Sequence, residues 1–240
     1  MKKLALLSLL FVVLQSCSSG DSTTTPPDEI LVKKIVDTDP AGVFTTNYTY
    51  NGKKIVEAVL STTNYIRRGV YTYTGDVITK IEYFDIDNTL TGSNVYNFNT
   101  DNRLESTVKL NYSNGTGTRE VYTYTPDGNY STIVYSGDLT TQNTVVSHNS
   151  ITMSNGSISS RIEDTGTVIK TNTYVYDTKN SPFKNVIGFE QQSHNQILWN
   201  YSENGGAVST TEQHYTYNAN DFPVSHYAGT NTSSILRYYY

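Results

Sequence analysis

Hydrophobic and polar residues alternate along most of this chain with a period of two. Between Tyr48 and Tyr240 one phrase recurs: an aromatic-x-aromatic triplet, a turn, and a β-branched stretch. The triplets are Tyr48-Thr49-Tyr50, Tyr71-Thr72-Tyr73, Tyr96-Asn97-Phe98, Tyr122-Thr123-Tyr124, a degenerate Ile151-Thr152-Met153, Tyr174-Val175-Tyr176, Tyr215-Thr216-Tyr217 and Tyr238-Tyr239-Tyr240. Successive strand side chains point to opposite faces, so Tyr71 and Tyr73 share one face while Val70, Thr72 and Thr74 share the other. Aromatic and β-branched residues at that spacing argue strand rather than helix.

The triplets follow one another at roughly 25-residue intervals, which marks one supersecondary unit repeated. Turn residues fall after six of the eight triplets: Asn51-Gly52, Gly75-Asp76, Asp101-Asn102, Pro126-Asp127-Gly128, Asn155-Gly156 and Asn220-Asp221. These types tolerate positive φ or preset a turn, so each unit reads as a hairpin. Second strands follow, as in Lys54-Ile55-Val56, Val77 to Ile81 and Tyr130 to Val134. Short polar links such as Asp85-Ile86-Asp87-Asn88 favour an antiparallel meander. About sixteen consecutive strands twist by ~20° per pair and curl, so the pattern predicts an all-β, curved, shell-like or barrel-like sheet with its aromatic face inside.

Before the repeats, Lys2 and Lys3 precede an apolar stretch from Leu4 to Leu14 broken only by Ser8, and then Gln15-Ser16-Cys17. That run is about half the ~20 residues a membrane helix needs and reads as a secretory signal over residues 1–16. Leu14-Gln15-Ser16-Cys17 resembles the bacterial lipoprotein box, which implies acylation of Cys17. Cys17 is the one cysteine in 240 residues, so an intramolecular disulfide and a thiolate metal site are excluded. Residues 17–29, rich in Ser, Thr and Pro, read as the lipidated cysteine and a flexible tether. Residues 30–240 form the repeat domain. Asp21-Ser22-Thr23 resembles a short O-glycosylation motif of Bacteroidota, with Ser22 as the acceptor. Without Lys2 and Lys3 the chain holds 15 basic residues against 22 acidic ones, which argues against a nucleic-acid partner.

The phrase Tyr-x-Tyr-x-x-Asp/Asn-x-x-aliphatic, as in Tyr215-Thr216-Tyr217-Asn218-Ala219-Asn220-Asp221-Phe222-Pro223-Val224, resembles the tyrosine-aspartate repeats of Rhs-type proteins. It is also similar to small Bacteroidota lipoproteins of unknown function with degenerate copies of such repeats. The resemblance implies an extended, spiralling β-sheet shell. The chain lacks an appended toxin or protease segment, is short for a full cocoon, and replaces the usual Asp-x-x-Gly-Arg turn, so encapsulation is not implied.

Catalytic motifs are not visible, and neither cofactor nor metal is expected. Asp85-Ile86-Asp87-Asn88-Thr89 begins like a calcium loop but lacks the central glycine and the terminal glutamate, so it reads as a solvated turn. His214 and His226 read as solvent-side strand residues. The repeat slips between Tyr174 and Tyr215, where Ser181-Pro182 could cap a short helical turn. Two readings stand for this insertion. Phe183, Val186, Ile187 and Trp199 cover the open end of the sheet, or Trp199 and Tyr201 form an aromatic platform for a sugar or peptide, with Phe189 nearby and His194 and Glu190 as polar contacts.

The expected function is a non-enzymatic lipoprotein anchored in the outer membrane by its N-terminal lipid, favouring the cell surface, that displays its sheet to glycan, protein or matrix partners. The alternatives are a periplasm-facing accessory in envelope assembly and a hydrolase with dispersed catalytic residues.

Overall fold

The computed structural model describes residues 29–63, 65–189 and 194–240. The strands are β1 (Lys34–Asp39), β2 (Gly42–Asn51), β3 (Lys54–Ser61), β4 (Ile66–Thr74), β5 (Val77–Phe84), β6 (Leu90–Phe98), β7 (Leu104–Asn111) and β8 (Thr116–Tyr124). They continue as β9 (Tyr130–Asp138), β10 (Gln142–Ser154), β11 (Ser157–Asp164), β12 (Ile169–Tyr176), β13 (Gln196–Glu203), β14 (Ser209–Tyr217), β15 (Pro223–Ala228) and β16 (Ile235–Tyr239). Every strand pairs antiparallel with its neighbours in sequence, and β1 pairs with β16, which closes the meander into a barrel. The turns are those the sequence marks. Gly52, Gly75, Asn102, Gly128, Asn155, Gly156 and Asp221 all take positive φ. A longer turn is reused after β5, β6, β8 and β14. There the residue at 85, 99, 125 or 218 bonds back from the chain four positions on, as in Asn218 N to Phe222 O at 2.9 Å.

The aromatic face lines the interior. The described residues of the enlarged connection between β12 and β13, 177–189, 194 and 195, fold into one end of the barrel and meet the triplets there. The Tyr48 ring meets Phe183 edge-on at 5.6 Å, and the Tyr73 hydroxyl donates to the Ile187 carbonyl at 3.2 Å. The N-terminal stretch joins the same end, where the Tyr50 hydroxyl donates to the Val32 carbonyl at 2.6 Å and Asn185 Nδ2 donates to the Ile30 carbonyl at 2.9 Å. Thr49, Thr72, Thr123 and Thr216, between the tyrosines, are exposed on the outer wall.

One irregularity recurs. Opposite the step into the second aromatic of a triplet, the partner strand carries an extra residue: Val56, Thr79, Glu105, Ser159, Ile197 and Val224 are each skipped by the pairing. Such a bulge bends its strand and sharpens the local twist. Two bulge hydroxyls cover carbonyls on the facing strand, Thr79 Oγ1 to Thr72 O at 3.4 Å and Ser159 Oγ to Thr152 O at 3.1 Å. The unit Tyr122-Thr123-Tyr124 has no bulge and pairs evenly with β9.

The plugged end holds the apolar core. Ile30, Val32, Ile55, Ile78, Ile81, Ile151, Val186 and Phe222 are the buried hydrophobic residues among those described. The insertion is held chiefly by Asp177. Its carboxylate accepts from the backbone N–H groups of Lys179 and Asn195 at 3.0 and 3.1 Å, from the Asn195 side chain, and from the Tyr217 hydroxyl. Residues 181–189 run as successive tight turns, with Val186 N bonded to Phe183 O at 2.9 Å and Phe189 N to Val186 O at 3.2 Å, in place of the helical turn expected at Ser181-Pro182. Gly188 has φ +89°, and a Cβ there would stand 2.8 Å from Ile78 Cγ1, so only glycine passes this close to the wall.

Two outcomes test this packing. Asp177→Ala removes a charged acceptor shared by four donors and strands the backbone N–H of buried Asn195, whose side chain keeps the Asn180 carbonyl. It is expected to cost about 2–4 kcal/mol in thermal unfolding and to open residues 178–189 to limited proteolysis. Alkali is the second lever. Burial pushes the Tyr48 and Tyr215 hydroxyls up to about 12 and also raises those of Tyr50, Tyr71 and Tyr238. The unfolded chain releases these protons near pH ~10, so the stabilisation is intact below that value and is lost as pH climbs towards the folded values. Phenolate absorbance and circular dichroism should therefore change together in one cooperative step. Free titration of these tyrosines near pH ~10 in an intact barrel would show a fully hydrated lumen.

Candidate functional site

Away from the plug, the inner wall changes character over β12, β13 and β14. In most hairpins the lumenal residues of the second strand are aliphatic or polar: Ala58 and Leu60 on β3, Thr107 and Lys109 on β7, Thr132 and Val134 on β9. On β13 they are Trp199 and Tyr201, paired across to Tyr174 and Asn172 of β12. Trp199 is 36% exposed, within the hollow of the barrel, and its Nε1–H donates to Asn172 Oδ1 at 2.9 Å. The Trp199 and Tyr201 rings lie 6.1 Å apart, inclined by 55°, and the Tyr201 hydroxyl donates to Glu203. Lys170 faces Glu203 across the strands, and Thr211 and Ser209 of β14 stand opposite Trp199 and Tyr201. The result is two tilted aromatic faces ringed by amide, carboxylate, ammonium and hydroxyl groups, a surface suited to stacking and hydrogen bonding at once.

The residues expected to act with them are divided by the fold. Trp199 and Tyr201 share one wall. His194 and Phe189 belong to the plug: His194 Nδ1 lies 3.0 Å from the Lys179 carbonyl, and Phe189 stacks on Phe183 at 5.1 Å. Phe183, Val186 and Ile187 cover the barrel end as expected for an end cap, whereas Trp199 does not. The strand around Trp199 starts at Gln196, so its ring lines the lumen. Glu190, Cys17 and Ser22 lie outside the described residues.

Two further features were not expected from the sequence. His226 faces inward: it stacks on Tyr215 at 4.6 Å and its Nε2 hydrogen-bonds Gln213, and burial holds its pKa below the ordinary histidine value. The bulge at Val224 shifts the alternation of β15 by one, which turns His226 in and Tyr227 out. His214 is on the outer wall as expected, stacked on Tyr227 at 4.8 Å. A polar chain also crosses the lumenal face from β8 to β11. Thr132 donates to Glu120 at 2.7 Å, Asn149 to Thr132 at 3.0 Å, and Arg161 Nη2 to Asn149 at 3.2 Å. Its signal in the sequence is the appearance of Glu, Asn and Arg at positions that alternate in phase with the tyrosines. The Asp85 turn is closed by its own carboxylate, which accepts from Asp87 and Thr89 N–H at 3.0 and 2.9 Å, and the described residues contain no cluster of three potential metal ligands.

The outer wall differs from the lumen. Cross-strand partners share a face, so Glu57, Arg68, Lys80 and Glu82 all point outward. Arg68 pairs with Glu57 at 3.2 Å and Lys80 with Glu82 at 2.6 Å. Arg119 of β8 lies 4.6 Å over the outward Tyr135 ring, and Glu212 and Arg237 also fall on outward positions in mid-strand.

No protein-family model matches the chain, and no curated protein matches it in sequence. Solved structures do match in fold. A porin-like protein from Bacteroides uniformis ATCC 8492 superposes with a TM-score of 0.57 at 11% identity, over 87% of this chain and 97% of that one. A porin-like protein from Bacteroides vulgatus ATCC 8482 superposes with a TM-score of 0.51 at 12% identity, over 88% and 98%. None of these matches links the chain to the tyrosine-aspartate repeat proteins that its triplets resemble. At these identities the likeness is one of fold, and the fold is a closed, porin-like β-barrel.

Proposed function

We propose that the chain is a non-enzymatic lipoprotein of the outer membrane whose barrel stands in water at the end of its tether, on the cell surface, and offers its lumen to a glycan, protein or matrix partner. The observation that carries this reading is the charged outer wall. A membrane barrel turns an apolar band about 25 Å tall toward lipid, and Arg or Lys on that face near mid-membrane costs ~2–4 kcal/mol each. Here Glu57, Arg68, Lys80, Glu82, Arg119, Glu212 and Arg237 occupy outward mid-strand positions, interspersed with Thr, Ser and Asn and with Val59, Val70, Val95, Val108, Val121 and Ile133. Most strands have eight or nine residues, at or below the ~9–11 that a spanning strand uses. The lipoprotein-like box at Cys17 supplies the membrane attachment that such a wall does not.

A binding role is supported by the Trp199 and Tyr201 faces on the open wall. The lumenal carboxylates of Glu120 and Glu203 are engaged by hydroxyls, which suits a structural or binding role better than hydrolysis. Closure of the sheet removes the long free edges on which a strand-adding assembly accessory would rely.

Cys17→Ala is expected to move the protein from the membrane to the soluble fraction. Resistance of that variant to extraction would mean that the strands themselves cross the bilayer and would sink the proposal. Non-permeant protease on intact cells should cleave the wild-type protein; protection until lysis would put the barrel on the periplasmic side. On a panel of envelope and host glycans, Trp199→Ala should weaken any binding at least tenfold without lowering the melting temperature by more than a few degrees, since the ring is already exposed.

A further inference from the structure

Beneath the plug lies a cavity of about 490 Å³, separate from the Trp199 wall. It owes its existence to a defect in the repeat. In three other units the second aromatic projects its ring and hydroxyl to the plugged end, as Tyr50, Tyr73 and Tyr217 do. In the degenerate unit this position is Met153, beside Ile158 of the facing strand, and no ring fills the space. Ile35 and Leu236 close the opposite side, and Phe183 forms part of the roof.

The volume falls in the range of small-molecule sites, roughly 300–1,000 Å³. The lining selects the chemistry. Water needs about three hydrogen bonds where it is confined, and the Ile35, Met153, Ile158, Leu236 and Phe183 walls offer none. Ser181, Asn195 and Gln196 line the space beside His194, and the Asn195 amide is already taken by Asp177 and the Asn180 carbonyl. The Lys179 carbonyl only accepts, so His194 Nδ1 carries the proton towards it, and in the uncharged tautomer that this bond selects Nε2 is the acceptor. The hydroxyls of Tyr176 and Tyr238, which also line the space, have no hydrogen-bond partner among the described residues.

We infer that this cavity is a binding site for a neutral, ring-bearing apolar molecule carrying one donor group, a hydroxyl or an amine, that reaches His194. The site is independent of how the barrel is anchored and of what the Trp199 wall binds. Its walls come from both sides of the lumen and from the insertion, so loading it would also tie the plug to the barrel.

The uncharged fluorophore N-phenyl-1-naphthylamine, an apolar two-ring system with a single N–H, is the probe. Purified protein spanning residues 18–240 is used, because every strand of the barrel pairs within it. A saturable rise in fluorescence is expected. Met153→Trp and Leu236→Trp fill the cavity from opposite walls, and each should weaken binding at least tenfold, so the result does not depend on one variant folding. His194→Ala should weaken it about 3–10-fold through loss of one hydrogen bond. Trp199→Ala should leave it unchanged. No saturable binding, or binding that survives in both filled variants that retain the wild-type circular dichroism, would overturn the proposal.

Discussion

Closing a sixteen-stranded meander demands that the sheet bend in one sense all the way round, and in this chain the bending rests on one repeated device. Six of the hairpins carry an extra residue opposite the step into the second aromatic. Twist alone would coil so long a sheet without bringing β1 back to β16. A bulge adds local curvature and re-aims the neighbouring side chain. Beside three of these bulges the second aromatic reaches the plugged end. There its hydroxyl finds the carbonyl of Val32, the carbonyl of Ile187 or the carboxylate of Asp177. Closure and plugging are thus two results of the same local geometry.

The two faces of the wall carry different side chains. A porin keeps water inside and lipid outside, so its lumen is polar and its outer band apolar. Here the triplet aromatics lie within, beside the Glu120–Thr132–Asn149–Arg161 chain and packed against the insertion at one end, while the outer wall carries ion pairs and threonines together with exposed Val43, Ile162 and Val175. The fold is shared with porin-like proteins, but fold sets only which faces exist, and the side chains decide which solvent each face meets.

Much of this was legible in the sequence because it is local. The triplets, the Asn-Gly and Asp-Gly turns and the alternation of Tyr71 and Tyr73 against Thr72 depend on neighbours within a few positions. What failed depended on cross-strand register. His226 reads as a solvent-side residue until Val224 is recognised as a bulge, because one extra residue exchanges the faces of everything that follows it. Trp199 reads as part of the end cap because the repeat slips there. The slip is confined to an enlarged hairpin connection, and β13 resumes the normal alternation at Gln196. Asp177 gave no motif at all, since its four donors come from residues 179, 195 and 217, brought together only when the connection folds back into the barrel.

Where the copies are regular, the units build wall, and where they depart from the pattern they build individuality. Eight identical hairpins would enclose a lumen with the same rings at each position and no preferred place for anything to bind. Two departures break that equivalence, the loss of rings at Ile151-Thr152-Met153 and the lengthened connection after Tyr176. They meet in space: Met153 forms the wall and Phe183 the roof of the same cavity. Filling it with a tyrosine at the Met153 position would restore the repeat and add buried aromatic surface, a stabilising change by the logic of close packing. A cavity lined by good apolar surface therefore stands where the surrounding pattern would most easily have supplied a ring.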